Sequence, residues 1–460
     1  MSELIAAFRD IVGASGVLAG DDVGNRMIHV WRQEPIRARC IVRPANTDEV
    51  AAIVKICHER RQRIVPHGGL TGLVQGCNVT PEDVVLSLER MNRIEDIDTA
   101  GRTMTVQAGV PLATLQQEAE RVGLMFPLDL GARGSCQIGG NVSTNAGGNH
   151  VIRYGMTREN VLGLEAVLAD GTVITALNDM IKNNAGYDLK HLFIGTEGTL
   201  GIVTRVVIRL REAAHGAHTA FVACTAFPEV VQFLKYIDRE LAGALSAFEV
   251  MWKEYFELVT TAPATNVRPV PLDHDLYVLV ESLASSHAGA AEHFENVMAR
   301  ALEEGLIADA AVAKSENDRR AMWRIRDSVE QLFRYGPPFF YDVSLGIRHM
   351  DAYIREVKSR LKRHFPEHRC FTLGHIGDGN IHFVVNVAEE YDLAQHEVVN
   401  ACIYEPLQPF KGSISAEHGI GTEKKAYLHL SRSAAELALM KCLKQALDPR
   451  GILNPGKVFD

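Results

Sequence analysis

The chain has 460 residues, 47% of them hydrophobic and 23% charged. That is too long for one ordinary core and too apolar for disorder, so two or three folded domains are expected. With 48 Lys plus Arg against 57 Asp plus Glu, the net charge is −9, which argues against a nucleic-acid binder and an electrostatic membrane anchor.

The N-terminal stretch Met1–Leu18 carries Glu3, Arg9 and Asp10 and lacks the layout of a signal peptide. No apolar run approaches the ~20 residues of a membrane-spanning helix. Eight widely spaced cysteines with no C-x-x-C pair read as a reduced protein without a disulfide framework or zinc knuckle. A cytoplasmic location is expected, at most peripheral at the inner face of a membrane.

In chain order, apolar spacing predicts a helix over Asp48–Gln62, then a strand Arg63–Val65 running into Pro66–Gly72. Short strands follow at Asp83–Leu88, Thr103–Ala108, Leu164–Leu168 and Ile202–Leu210. From about residue 215 strands and helices alternate over a longer period. Strands are expected at His218–Thr225, Leu276–Ser282, Ile307–Lys314 and Phe339–Leu345, and a hairpin at Cys370–Val387. Helices are expected at Pro228–Leu241, His287–Glu304, Glu316–Phe333, Met350–Phe365 and Ala434–Leu447. The second stretch therefore reads as an α+β layer, built as two ferredoxin-like halves. Met350–Phe365 carries five basic residues, which suit a solvated helix face or a docking patch for an acidic electron acceptor.

The 38 glycines are an ordinary total laid out unevenly, in clusters before residue 202 and after residue 373. No G-x-G-x-x-G occurs. In Pro66-His67-Gly68-Gly69-Leu70-Thr71-Gly72 the glycines let backbone N–H groups converge into an anion nest, although a plain strand-to-loop turn explains this stretch by itself. Further clusters are Gly134–Gly148, made of small and hydroxyl or amide side chains, and Gly195–Ile202. A large cofactor threaded between backbones explains the three together.

These segments, with Asn184–Leu189, resemble the flavin domain of the vanillyl-alcohol oxidase/para-cresol methylhydroxylase superfamily over roughly residues 36–210. The resemblance implies FAD lined by Pro66, His67, Gly68, Gly69, Leu70, Thr71, Gly72, Pro127, Gly134, Ser135, Ile138, Gly139, Gly140, Asn141, Thr144, Asn145, Gly148, Gly155, Glu197, Gly198, Gly201, Ile202 and Asn454. Covalent attachment in such loops uses a His after the Gly-Gly pair. Here His67 precedes it and Cys136 is out of register, so non-covalent FAD is expected.

In Gly374-His375-Ile376-Gly377-Asp378-Gly379-Asn380-Ile381-His382 a tight turn would set His375 opposite His382, Cβ atoms ~5 Å apart, as two sheet histidines or as a chelating pair. Glu417-His418 in a small-residue loop adds an acid, completing a usual first shell for Zn²⁺, with Mn²⁺ or Fe²⁺ as alternatives. These segments and the tail Asp448–Lys457 resemble FAD-dependent D-2-hydroxyacid dehydrogenases, the group of D-lactate, glycolate and D-2-hydroxyglutarate dehydrogenases. The resemblance implies metal ligands His375, His382 and Glu417 and a catalytic base, His418. It also implies a small 2-hydroxy acid substrate and an electron acceptor such as an electron-transfer flavoprotein, quinone or cytochrome. The expected domains are an FAD-binding domain over 1–210, a ferredoxin-like substrate and metal-binding cap over 211–425, and a helical segment 426–460 returning to the FAD domain. No nucleic acid is implied, and a homodimer is compatible.

Arg326 falls on an apolar stripe of Met322, Val329 and Phe333, where it must snorkel, pair or meet an anion. The resemblance places it against the substrate carboxylate. The D-2-hydroxyglutarate branch is expected to carry a lysine at Phe340, an amide at Val384 and a threonine at Glu330. Their loss favours D-lactate or a longer apolar D-2-hydroxy acid. The alternatives are a D-2-hydroxyglutarate or glycolate dehydrogenase, an O₂-using oxidase, and, in another class, a non-catalytic flavin- and metal-binding interaction subunit.

Overall fold

A computed structural model of the chain describes residues 2–30, 34–214, 216–284, 289–388, 390 and 392–459. The chain forms two compact units. One comprises Met1–Gly147, Gly155–Ala213 and Glu417–Asp460, and the other Gly148–Tyr154 and Ala214–Ala416. Residues 417–425, which the sequence assigns to the cap, therefore belong to the first unit, and Gly148 to the second.

Among the described residues the first unit holds two main sheets and a two-stranded pairing of Leu124–Met125 with Arg211–Glu212. In the smaller main sheet, Cys40–Val42, Val84–Ser87 and Ile64–His67 run parallel, with Val17–Leu18 at one edge. The helix Thr47–Arg60 crosses over it, burying Val50, Ile53, Val54 and Cys57 on one face. Its start is fixed by Asn46, which accepts from Glu49 N, while Glu49 accepts from Ala45 N at 2.7 Å. The larger sheet is antiparallel, in the order Ile94–Asp98, Thr103–Gln107, Ile202–Arg209, Val161–Val167, Val173–Ala176. The C-terminal segment returns to the smaller sheet, where Ile64 N donates to Ile452 O and Asn454 N to Ile64 O, both at 2.8 Å.

The second unit is built on a seven-stranded sheet. Its first half runs Gly216–Cys224, helix Phe227–Glu240, Leu245–Trp252, Leu276–Ala284, helix Ala290–Glu303, Asp309–Val312. Numbered within this half, the strands lie in the order 4-1-3-2, a ferredoxin-like arrangement. The second half, Phe339–Ser344, helix Ile347–His364, Arg369–His375, Asn380–Asn386 and helix Leu393–Tyr404, repeats it in the order 1-3-2. Its fourth strand is reduced to a single bridge from Ser413 to Ser344. The halves join edge to edge, with Glu249 opposite His375, Val250 opposite Gly374 and Met251 opposite Leu373.

Several expectations are corrected. The helix read over Glu316–Phe333 ends at Asp327 and continues as a 3₁₀ segment, Val329–Tyr335. Ser328 breaks it, its hydroxyl donating to Arg324 O and accepting from Asn266. Val329 and Phe333 are consequently exposed, and the buried residues of this helix are Met322 and Ile325. The start of the expected helix at His287 lies outside the described residues. The strand Leu245–Trp252 and the helices Lys253–Thr260 and Leu393–Tyr404 are not read from sequence at all. In the basic helix, Arg355, Lys358 and Arg360 are paired with Asp351, Glu254, Glu356 and Glu405, so this face is a network of ion pairs. No helix of the described residues is long and apolar enough to cross a membrane.

The terminal helix Ala434–Leu447 opens on a capping box between Ser433 and Glu436. Ser433→Ala should lower stability by about 1 kcal/mol, read by urea denaturation, without altering ligand binding.

Candidate functional site

In the first unit the strand Ile64–His67 ends in a groove open to solvent. Pro66–Gly72 form one wall, Gly139, Gly140, Asn141 and Thr144 another, and Glu197, Gly198, Gly201, Ile202 and Asn454 the rest. The expected lining residues Pro127, Gly134, Ser135, Ile138, Asn145, Gly148 and Gly155 are not among those that line it. Val74, Gly76, Cys77, Leu88, Cys136, Gln137, Ser143 and Val203 line it instead, together with His418. Ser135, Ile138 and Asn145 lie next in the chain to residues that do line it, since a stretch of small residues gives no sign of which of them turn inward.

Close backbone approach explains the composition. A Cβ on Gly69 would lie 2.0 Å from Ser135 O, so two chains pass where only glycine fits. Three buried acceptors on the groove, Gln137 Oε1, Asn141 Oδ1 and Asn454 Oδ1, have no hydrogen-bond partner among the described residues. Buried acceptors left unmade are costly, so a ligand with matching donors fits here. The hydroxyls and ring N–H of a flavin dinucleotide meet that description.

Glu197 lines the groove, but its carboxylate serves the chain. It accepts from Ile420 N at 2.6 Å and Gly421 N at 2.8 Å, tying the Glu417–Gly421 loop to the groove wall. Burial pushes its carboxyl up, and the two amides oppose that shift. His418 is thereby held at the groove. The fixed loop path also requires Gly421, with φ of 52° and a Cβ position 1.9 Å from Val74 O.

His67 is buried, its Nε2 2.8 Å from Cys77 O. Burial lowers its pKa to about 4 against an ordinary 6.5, the Cys77 hydrogen bond opposing this only in part. Cys136 is also buried, and burial pushes its thiol up. Neither is a ready nucleophile.

In the second unit one face of the sheet gathers the other candidates. Leu373 lies opposite His382, so His375 and His382 are diagonal neighbours on one face and not direct partners. The expected tight turn is a 3₁₀ turn, Ile376–Asp378, which shifts the register by two residues. The rings remain close, with centroids 5.4 Å apart and planes at 84°.

His375 has a carboxylate hydrogen-bonded at Nδ1, and His382 has one nearby. His375 Nδ1 is hydrogen-bonded to Glu249 Oε1, and His382 Nδ1 lies 3.8 Å from Asp342 Oδ1. Asp342 is fully buried and held by Asn380 Nδ2 at 2.9 Å and Ala416 N at 3.1 Å. Carboxylates at Nδ1 are the usual support of histidines that ligate a metal through Nε2, so this pair fits a divalent cation.

Arg326 Nε donates to Glu249 Oε2 at 2.7 Å, and Tyr255 donates to Arg326 O at 2.8 Å. Burial would raise the Glu249 carboxyl, but the charges of His375 and Arg326 more than offset it and hold it at about 2. Burial also works against the Arg326 charge, and Glu249 overcomes this, raising its pKa.

Beyond His382 the face turns apolar. Val384 is 3% exposed, packed in a cluster with Leu373 and Phe371, and Phe340 is its direct cross-strand partner. Phe340 is 39% exposed, with Phe333 at 5.8 Å between centroids. Arg326, His375, His382, Val384 and Phe340 thus lie in the second unit, and Glu417 and His418 open the last segment of the first. Glu249 was missed, although a lone acid in Leu245-Ser-Ala-Phe-Glu-Val-Met-Trp is a visible signal.

Comparison with known proteins gives two family matches. Residues 215–458 match the family described as FAD linked oxidases, C-terminal domain, and residues 38–177 match the FAD binding domain. The chain is 40% identical over 440 residues to D-2-hydroxyglutarate dehydrogenase of Xanthomonas citri pv. viticola, covering 94% of this chain and 90% of that one. It is 37% identical over 463 residues to the mitochondrial D-2-hydroxyglutarate dehydrogenase of Arabidopsis thaliana, covering 100% and 82%. Among solved structures it matches p-cresol methylhydroxylase with substrate bound at a TM-score of 0.75 and 16% identity, covering 100% of this chain and 97% of that one. That match shows the fold, a flavin domain of this type with an α+β partner domain.

Because the unfolded His67 protonates near 6.5 and the folded one near 4, its contribution to stability is present above pH 6.5 and is lost as pH falls towards 4. The loss should amount to about 3 kcal/mol. His67→Gln should flatten this part of the profile, measured by urea denaturation across that pH range.

Proposed function

This chain belongs to the FAD-linked oxidases, oxidoreductases that bind FAD, and we propose that it oxidises a D-2-hydroxy monocarboxylate with an apolar side chain to the 2-oxo acid. The observation that carries this reading is the sheet face on which Arg326, His375 and His382 stand beside apolar Val384 and Phe340. Oxidation of D-2-hydroxy acids is supported by the relatives at 35–40% identity, named as D-2-hydroxyglutarate dehydrogenases.

FAD, when bound in the groove of the first unit, supplies the hydride acceptor. We assign non-covalent binding, in keeping with the buried His67 and Cys136. A divalent cation, Zn²⁺ or alternatively Mn²⁺ or Fe²⁺, would be held by His375 and His382 with Glu417 as third ligand and would supply Lewis acidity. Arg326 binds and orients the substrate carboxylate through the N–H groups that Glu249 leaves to it. His418 takes the proton of the 2-hydroxyl as general base. Val384 and Phe340 receive the side chain and exclude water. An electron-transfer flavoprotein, quinone or cytochrome would reoxidise the protein.

A second reading, D-2-hydroxyglutarate itself, is favoured by the names of the relatives. On this face a second carboxylate would have to pass Val384 and Phe340 before meeting a cation. Arg369, at the far end of the strand Arg369–His375, stacks on Tyr335, its guanidinium carbon 3.9 Å from the ring centroid.

Anaerobic stopped-flow bleaching of the flavin across a panel of D-2-hydroxy acids tests the substrate. Apolar monocarboxylates should reduce the flavin with the higher kcat/KM, and preference for D-2-hydroxyglutarate would establish the second reading. His418→Ala should keep its flavin and lose flavin reduction by about 10²-fold or more. Dialysis against a chelator should abolish activity and a divalent cation restore it.

A further inference from the structure

Glu249 stands in the middle of the strand Leu245–Trp252 and is 1% exposed. Both of its oxygens are committed, Oε1 to His375 Nδ1 and Oε2 to Arg326 Nε. A carboxylate only accepts, so both partners must donate. His375 then carries its proton on Nδ1 and keeps its lone pair on Nε2. Arg326 has its Nε edge occupied, which leaves the Nη groups to a planar anion and fixes the plane of the guanidinium.

Resting on the reading above, in which His375 ligates a cation and Arg326 holds the substrate carboxylate, the geometry points to Glu249 as a positioning residue that sets both groups at once. Its place in the fold makes this economical. Glu249 and His375 are direct cross-strand partners at the seam where the two ferredoxin-like halves meet. Arg326 comes from a helix of the intervening sequence, packed on the same face. One buried side chain of the first half therefore couples a group of the second half to one of the intervening helix. Loss of Glu249 should damage cation affinity and substrate-carboxylate binding together, because a single pair of oxygens serves both.

The same sheet supplies a matched comparison. Glu281, on the neighbouring strand, is 2% exposed and accepts from Thr219, Arg319 and Trp323. It is equally buried and charge-paired, and its partners are not those of the proposed site. A merely structural role for Glu249 would make the two carboxylates behave alike.

The test is Glu249→Gln beside Glu281→Gln in the flavin-loaded protein. Gln keeps the volume, but its NH₂ must face one of two donors, so one of the two bonds is lost. Titration with Mn²⁺ or Zn²⁺ by calorimetry should show affinity falling by about 10- to 100-fold in Glu249→Gln, with KM for the D-2-hydroxy acid raised more than kcat is lowered. Glu281→Gln should match the wild type in both. Equal losses in the two variants, or wild-type cation affinity and KM in Glu249→Gln, overturn the proposal.

If the wild type itself takes up no divalent cation, the reading of the site fails and the proposal fails with it. Should Glu249→Gln not fold, long-range ¹H–¹⁵N spectra of the histidine-labelled wild type decide the point. A proton on Nδ1 of His375 supports the proposal, and a proton on Nε2 overturns it.

Discussion

The second unit depends on one buried interaction, the cross-strand contact between Glu249 and His375. Two ferredoxin-like halves could meet at any strand edge, and backbone bonds alone would tolerate a slip. A slip of one residue would turn Glu249 and His375 to opposite faces and leave a carboxylate in the core without its partners. Burial raises the cost of an unpaired carboxylate, and Arg326 and His375 repay it only in this register. The same contact that specifies the junction also draws Arg326 and the histidine pair onto one face.

The first unit is governed by a different constraint, backbone against backbone. The groove walls come from distant stretches of chain, and the backbone passes too closely for side chains at Gly69 and Gly421. Unpaired acceptors on Gln137, Asn141 and Asn454 mark where protein partners end and a ligand's donors fit. Glu197 links this groove to the loop that carries His418, by accepting two amides of that loop. The groove wall and the loop bearing His418, the proposed general base, are thus held by a single carboxylate whose role concerns the chain itself.

Much of this was legible in the sequence, for identifiable reasons. Alternation and helical spacing located most of the strands and helices, since burial of one face imposes its period on the residues. Leu245–Trp252 escaped because both of its faces carry apolar residues: Ala247 and Met251 point one way, and Leu245, Phe248 and Val250 the other, with a bulge between Leu245 and Ala247 breaking the alternation. The stripe through Val329 and Phe333 misled because Ser328 ends the helix by bonding back to Arg324, a competition between side chain and backbone that periodicity does not register. The opposed His375 and His382 became diagonal because the turn, a 3₁₀ segment from Ile376, is centred one residue earlier than the expected Gly377–Asn380 turn, which shifts the register by two.

By itself the sequence determined the kinds of groups present: glycine clusters for close passage, paired histidines, and an arginine among apolar residues. These follow from local chemistry, which composition and spacing carry. Only the tertiary structure decided which groups meet. Glu249 and His375 are separated by 126 residues, and Glu197 and Ile420 by 223. Partners so far apart in the chain are chosen by strand order and by the cost of leaving a buried charge unpaired, and neither is written in any local pattern.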